Sequence, residues 1–376
     1  MNNPDKYQRY KRQILLKEFG IAGQEKLLRA KVLVVGAGGL GCPALQYLAA
    51  TGVGTIGIVD SDLVEISNLQ RQILYSVTDI GKPKAEIAAE KLKALNPEIQ
   101  IQAYQIKMEN CNTLNLISHY DIVIDGTDNF STRYLINDAC VLLDKPLVYG
   151  AVLRFEGQVG IFNLTTKDTK IKTNYRDLFP EPLSPSSTLS CSEAGVLGVL
   201  PGIIGTLQAT EAIKIITGIG KPLSNRIVSY NALNNLFYEF SISPSEKVAA
   251  LIPKNEKAFL DFNYDWFCGI SSGNYEITTA EFEKLRVGEK ITIIDVREEG
   301  ELPSVDEFTF IQIPLSRFKE IVPDLSPKNK IIIFCQSGIR SLTAAKLLNE
   351  EFNGYHAYSL KGGIIEWKKQ HQNISI

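Results

Sequence analysis

Residues 31–41 read KVLVVGAGGLG, and that stretch decides the fold of the first half of the chain. Residues 31–35 form an apolar, β-branched run bounded by glycine, and PALQYLAA at 43–50 follows with a helical pattern, making a strand-turn-helix unit. Gly36, Gly38 and Gly41 satisfy the G-x-G-x-x-G spacing between a strand and a helix, where glycines let backbone amides and a helix N-terminus approach phosphate oxygens. A second strand is expected at Thr55–Val59, ending at Asp60, which is placed to hydrogen-bond a ribose hydroxyl. A helix over about Lys82–Leu95 and a strand over Asp121–Ile124 continue the β-α alternation of a parallel sheet covered by helices. These features alone fit a NAD-dependent oxidoreductase at least as well as an ATP enzyme.

Polar residues that a dinucleotide has no evident need for shift the reading. Asn68 and Arg71 lie in SNLQRQ, and GKPKAE puts Lys84 at a helix start. A triphosphate carries more charge than a pyrophosphate bridge, so convergent cations are chemically sensible. Asp128 and Asn129, in DGTDN, fall at the carboxyl end of a strand, where a carboxylate can hold Mg²⁺. Taken singly, each of these residues is equally well a solvated surface group.

The runs RQILLKEFGIAGQEKL, GAGGLG, IVDSDLVEISNLQRQ, GKPKAE, DGTDN and AVLRFEGQ occur in that order and resemble the MoeB/ThiF (HesA/MoeB/ThiF) family, relatives of the ubiquitin-activating enzymes, over roughly residues 5–240. The resemblance implies a Rossmann-like, ubiquitin-activating-type α/β adenylation domain. It implies that Gly39, Asp60, Asn68, Arg71, Lys84 and Asp128 bind MgATP, and that Arg12 reaches the triphosphate of a partner subunit in a homodimer. The turn glycines Gly36, Gly38 and Gly41 and the neighbouring Asn129 are counted with this site. The reaction implied is attack by the terminal Gly-Gly carboxylate of a ubiquitin-like sulfur carrier on the α-phosphate. Cys191, in TLSCSEAGVLG at the end of a Ser/Pro-rich loop, matches a position where the family carries a cysteine, with or without covalent chemistry. Relatives usually hold zinc in two Cys-x-x-Cys pairs. Here the aligned positions are Ile171, Asn174, Asp265 and Cys268, so no structural zinc is expected.

Periodicity fades from about Ser241 to Asn274, and a smaller α/β pattern follows, with strands at Lys290–Val296 and Lys330–Phe334 and a helix at Ser341–Phe352. The boundaries expected are 1–245 for the adenylation domain, 246–274 for a linker and 275–376 for the second domain. Cys335, in CQSGIRS between strand and helix, faces backbone amides, a helix N-terminus and Arg340, an arrangement that favours a thiolate and can cradle a persulfide. Gln336, Ser337, Gly338 and Ile339 complete this loop. IIDVREEGE, IQIPLSRF, CQSGIRS and YSLKGGIIEW resemble the rhodanese family over roughly residues 275–374. ELPSVDEF departs from that family's usual His-Ile-x-Gly-Ala pattern, and Asp295 and Arg297 are read as an internal salt bridge.

The remaining composition excludes more than it selects. With 40 basic against 42 acidic residues the net charge is −2, which gives no electrostatic footprint for nucleic acid. No unbroken apolar run reaches the length of about 18 residues that a membrane span requires, and the N-terminus MNNPDKYQRYKRQ lacks a secretory pattern, so a cytoplasmic enzyme is expected. Six scattered cysteines argue for reduced thiols rather than a disulfide framework. The function expected is ATP-dependent adenylation of a Gly-Gly carrier, of the molybdopterin-synthase small-subunit type, followed by sulfur transfer from a Cys335 persulfide charged by a cysteine desulfurase or thiosulfate. The alternatives are the same chemistry on a ThiS-type carrier for thiamine, and a NAD-binding oxidoreductase.

Overall fold

The computed structural model describes residues 7–166, 170–180, 195–249, 251–262, 264–268, 275–288, 291–322, 330–351 and 357–372. The chain divides into two compact units, Met1–Ile270 and Ser271–Ile376.

The first unit is built on eight strands: β1 (Lys31–Val35), β2 (Thr55–Val59), β3 (Gln100–Tyr104), β4 (Ile122–Asp125), β5 (Leu147–Leu153), β6 (Glu156–Phe162), β7 (Arg226–Asn231) and β8 (Leu236–Ser241). Their spatial order is β3-β2-β1-β4-β5-β6-β7-β8. Strands β1 to β5 pair in parallel and β5 to β8 antiparallel. Strand order reverses between β1 and β4, and in open α/β sheets that crevice is where ligands bind. Alternation along β1 sends Val32 and Val34 to one face and Leu33 and Val35 to the other, and both faces are buried. Helices Gly41–Thr51 and Lys84–Leu95 cover the first face and helix Phe130–Leu142 the second.

Helix Val199–Thr217 is long and apolar enough to cross a membrane by length and composition. It packs against helix Gly41–Thr51 and strands β5 and β6, with Leu200, Ile204, Gln208 and Ala212 buried. Leu200 and Ile204 on one side and Ala209 and Ala212 on the other thus join core clusters of the first unit. Among its described residues, the stretch read from sequence as a connector holds three short helices, Glu246–Ala249, Glu256–Asp261 and Tyr264–Phe267, and buries Phe259, Tyr264 and Cys268 in the second-face core.

The second unit has strands β9 (Glu276–Ile277), β10 (Ile291–Asp295), β11 (Ile311–Gln312), β12 (Lys330–Phe334) and β13 (Ala357–Leu360). They form a parallel sheet in the order β11-β10-β12-β13-β9. On β12, Ile331 and Ile333 pack with Ala344 and Leu348 of helix Ile339–Glu351, whereas Ile332 and Phe334 meet Phe282, Ile364 and Trp367 on the opposite face. The central strand is therefore buried on both sides, and its C-terminal end delivers Cys335 to the loop that opens the helix.

Candidate active sites

In the first unit the glycine turn leaves β1 at the strand-order reversal. Gly36 has a φ of 94°, a left-handed conformation that favours glycine, and a Cβ built on it would lie 2.7 Å from Gly126 O. A Cβ on Gly41 would lie 1.9 Å from Gly36 O, so the turn closes onto the helix that follows only without a side chain there. Asp60 fastens the turn: its Oδ2 accepts from Ala37 N at 2.7 Å and its Oδ1 from Asp62 N at 2.9 Å. Burial pushes the Asp60 carboxyl above the ordinary value, against these amides and the Lys84 charge. Lys84 is itself buried at the start of its helix and donates from Nζ to Asp62 Oδ2 at 2.9 Å. Asn68 is buried and accepts from Glu65 N, while Arg71 donates to Ser67 O at 3.0 Å. Gly39 faces Pro201 and the Arg71 side chain, so turn, cation and helix start share one side of the crevice.

The opposite lip is the turn after β4. Asp125 is fully buried, accepts from Thr127 N and Oγ1, and lies 3.8 Å from Arg133 Nε; Arg133 Nη2 donates to Thr127 O at 2.8 Å. Asp128 follows this frame in the chain and is exposed. Asn129 is committed locally, capping helix Phe130–Leu142 by accepting from Thr132 N at 2.9 Å. Arg12 lies exposed on the short helix Lys11–Ile14. Cys191 lies outside the described residues.

Three residues that sequence reasoning passed over belong to this site. Gln72 is buried beneath Gly38 with its Oε1 lacking a protein partner, and Gln208 bonds Asp125 O at 2.7 Å with its own Oε1 likewise unpartnered. Arg133 is the third. Gln72 sits within the SNLQRQ run already singled out, but its inward aim is a tertiary fact. Cys42, under the turn, bonds Ala37 O and is pushed up to about 12 by burial, which leaves it inert as a nucleophile.

At the four positions aligned with zinc ligands, Ile171 is exposed, Asn174 caps the helix Tyr175–Leu178, Cys268 is buried, and the Asp265 side chain lies outside the described residues. Beside them is a junction built of side chains. Arg176 and Asp138 form a fully buried bidentate pair at 2.9 and 2.7 Å, and Tyr264 donates to Asp138 Oδ2 at 3.0 Å. The Arg176 guanidinium stacks on Tyr134, Phe262 and Phe267, at 4.9, 5.3 and 4.6 Å from the ring centres.

In the second unit Cys335 is fully buried and its Sγ accepts from Gly338 N at 3.2 Å and Ser341 Oγ at 3.5 Å. Gly338, at φ 92°, makes the turn possible. Burial acts to raise the thiol, but hydrogen bonds from Ser341, Ser337 and Gly338 outweigh it and hold Cys335 below the ordinary thiol value. Asp295 and Arg297 form the buried pair expected from sequence, with Nη2 to Oδ2 at 2.6 Å.

A doubly wound sheet with a glycine turn and facing cation and carboxylate, followed by a parallel sheet that presents an activated thiol, defines a nucleotide-dependent activating enzyme joined to a sulfur-handling domain. The ThiF family profile matches residues 10–250 and the rhodanese-like domain profile residues 278–370. The probable adenylyltransferase/sulfurtransferase MoeZ of Mycobacterium tuberculosis is 40% identical over 375 residues, spanning 97% of this chain and 93% of that protein. The sulfur carrier protein adenylyltransferase of Thermus thermophilus is 48% identical over 264 residues, 70% of this chain and 96% of the relative. The probable molybdopterin-synthase adenylyltransferase of Porphyra purpurea is 40% identical over 365 residues, 96% of this chain and 93% of the relative. Among solved structures, E. coli MccB with ATP superposes at a TM-score of 0.53 with 24% identity, over 65% of this chain and 74% of MccB, a likeness of fold. The chain belongs to the ThiF family and carries a C-terminal rhodanese-like domain.

Proposed function

We propose that this chain adenylates the C-terminal carboxylate of a ubiquitin-like sulfur carrier and then converts it to a thiocarboxylate with sulfur held on Cys335. The observation that carries the proposal is the coexistence, in one chain, of a glycine turn fastened by Asp60, with Arg71 against Gly39 and a buried Lys84 beside it, and a hydrogen-bonded Cys335 below the ordinary thiol value.

In the first step a carboxylate oxygen of the carrier attacks the α-phosphorus of ATP and pyrophosphate departs, giving an acyl-adenylate. The amides of the Gly36–Gly41 turn, with Arg71, Lys84 and, from the partner of a homodimer, Arg12, offset phosphate charge and align the leaving group. Asp60 positions the turn and faces the ribose; Asn68 and Gln72 supply the remaining polar contacts. Asp128 is the residue to hold the magnesium that accompanies ATP, which would neutralise charge on the phosphates. In the second step the outer sulfur of a Cys335 persulfide attacks the acyl carbon and AMP departs. An external thiol attacks the Cys335 sulfur and breaks its S–S bond, releasing the thiocarboxylate and leaving a mixed disulfide on Cys335 that a second external thiol reduces. Such a cycle suits the reducing cytoplasm. The name of the Porphyra purpurea relative supports a molybdopterin-synthase type of carrier over a thiamine type.

The test is Cys335→Ala. ATP-pyrophosphate exchange with a Gly-Gly carrier is expected to persist while sulfur transfer is abolished. Retention of both activities removes Cys335 from the scheme.

A further inference from the structure

The segment ELPSVDEF, whose departure from the rhodanese pattern is evident in the sequence, is fastened to the Cys335 loop in the structure. Arg340 Nη1 and Nη2 each donate to one oxygen of Glu301, both at 2.6 Å, in a fork-to-fork pair. Glu301 Oε1 also accepts from Glu298 N at 2.8 Å, Arg297 Nη1 donates to Pro303 O at 2.8 Å, and Gln336 Nε2 donates to Leu302 O at 3.2 Å. Arg297 Nη1 also donates to Glu301 O at 3.3 Å, and the rest of its guanidinium pairs with Asp295. The hydrogen bonds from Arg340 hold the Glu301 carboxyl at about 2, so it is charged throughout the working range. Arg340 is close enough for its charge to couple to Cys335.

The fork of Arg340 is the group a small oxyanion would use on its way to Cys335, and the chain's own carboxylate fills it. We propose that Glu301 is a specificity-determining residue that sets the Cys335 cleft against dianionic sulfur donors such as thiosulfate and toward sulfur presented as a persulfide without a sulfonate. The inference rests on Cys335 being the sulfur carrier. In the favoured transfer the Cys335 thiolate attacks the outer sulfur of R–S–SH. The Sγ–S bond forms as the donor S–S bond breaks, the R–S⁻ thiolate leaves with the electron pair, and the proton stays on the transferred sulfur.

The test reads the cleft charge with and without sulfur chemistry. On the full chain, alkylation of Cys335 is followed by peptide mass spectrometry with neutral iodoacetamide and anionic iodoacetate, in the wild type and Glu301→Gln. The iodoacetate-to-iodoacetamide rate ratio is expected to rise about tenfold in E301Q, the scale of one unit charge near a partly solvated site. The thiosulfate KM is expected to fall by a similar factor with kcat little changed. In the wild type the same ratio rises with ionic strength as the carboxylate is screened, an arm that needs no variant. An unmoved ratio in E301Q, or a wild-type ratio flat in salt, overturns the proposal. If the alkylation ratio moves and no variant turns over any sulfur donor, Glu301 controls the cleft and the assignment of Cys335 as sulfur carrier is what fails.

Discussion

One hydroxyl and a few amides hold the Cys335 thiol below its ordinary value. Ser341 is buried, donates to Sγ and is itself within 2.8 Å of Ser359 Oγ. A lowered thiol pKa means that thiolate is present at lower pH, so the alkylation rate of Cys335 climbs with pH through a midpoint below the ordinary thiol value. Ser341→Ala removes a donor to the charged form and shifts that midpoint upward. A midpoint that stays in place would show that the backbone amides suffice alone. Lys84 offers the matching test in the first unit. It is buried, pairs with Asp62, and its positive charge favours the ionised form of Asp60. Lys84→Met is expected to weaken ATP binding by about 10- to 100-fold by calorimetry, the loss of a charge-assisted contact of roughly 1.5–3 kcal/mol. Undiminished affinity in a folded variant would exclude Lys84 from the nucleotide site.

The short helices at Glu256–Asp261 and Tyr264–Phe267 show what an element can hide from sequence. Asn110 Nδ2 donates to Phe259 O and Phe262 O at 2.6 and 2.8 Å, and Tyr264 reaches Asp138 across the second-face core. The Arg176–Asp138 pair at this junction is fully desolvated, and removing one charge strands the other. Asp138→Asn is therefore expected to destabilise the first unit by about 3–5 kcal/mol, and Tyr264→Phe by about 1 kcal/mol, in chemical unfolding. Because Arg176, Asp138 and the rings around them hold this junction, prolonged dialysis against a zinc chelator is expected to leave the melting temperature unchanged; a clear fall would show a metal at work. The parallel strands β1, β2, β4 and β12 and their helices were legible because buried β-branched runs bounded by glycine carry their own signal. Strand β8 is exposed along its length and the connector helices are four to six residues long, so neither shows a period to read. At the candidate sites, short motifs are what single out Lys84, Asp60 and Cys335 in the sequence. Gln72, Arg133, Gln208 and Glu301 act through contacts with residues distant in sequence, which no local pattern records.

As a whole, the chain joins an ATP-dependent activating domain of the ThiF family to a rhodanese-like domain, and covalent linkage raises the effective concentration of the sulfur donor for the activated carboxylate. Separated units, each folded and mixed at low concentration, should turn over more slowly than the intact chain. The central claim is that ATP consumed in the first unit and sulfur held on Cys335 meet on one carboxylate. The most direct measurement is the intact mass of a Gly-Gly-ended sulfur carrier after incubation with this chain, MgATP and a persulfide donor. The account predicts the mass change of one oxygen replaced by sulfur, present only with ATP and lost in Cys335→Ala. A carrier whose mass is unchanged under all these conditions, or one that gains sulfur without ATP, would contradict it.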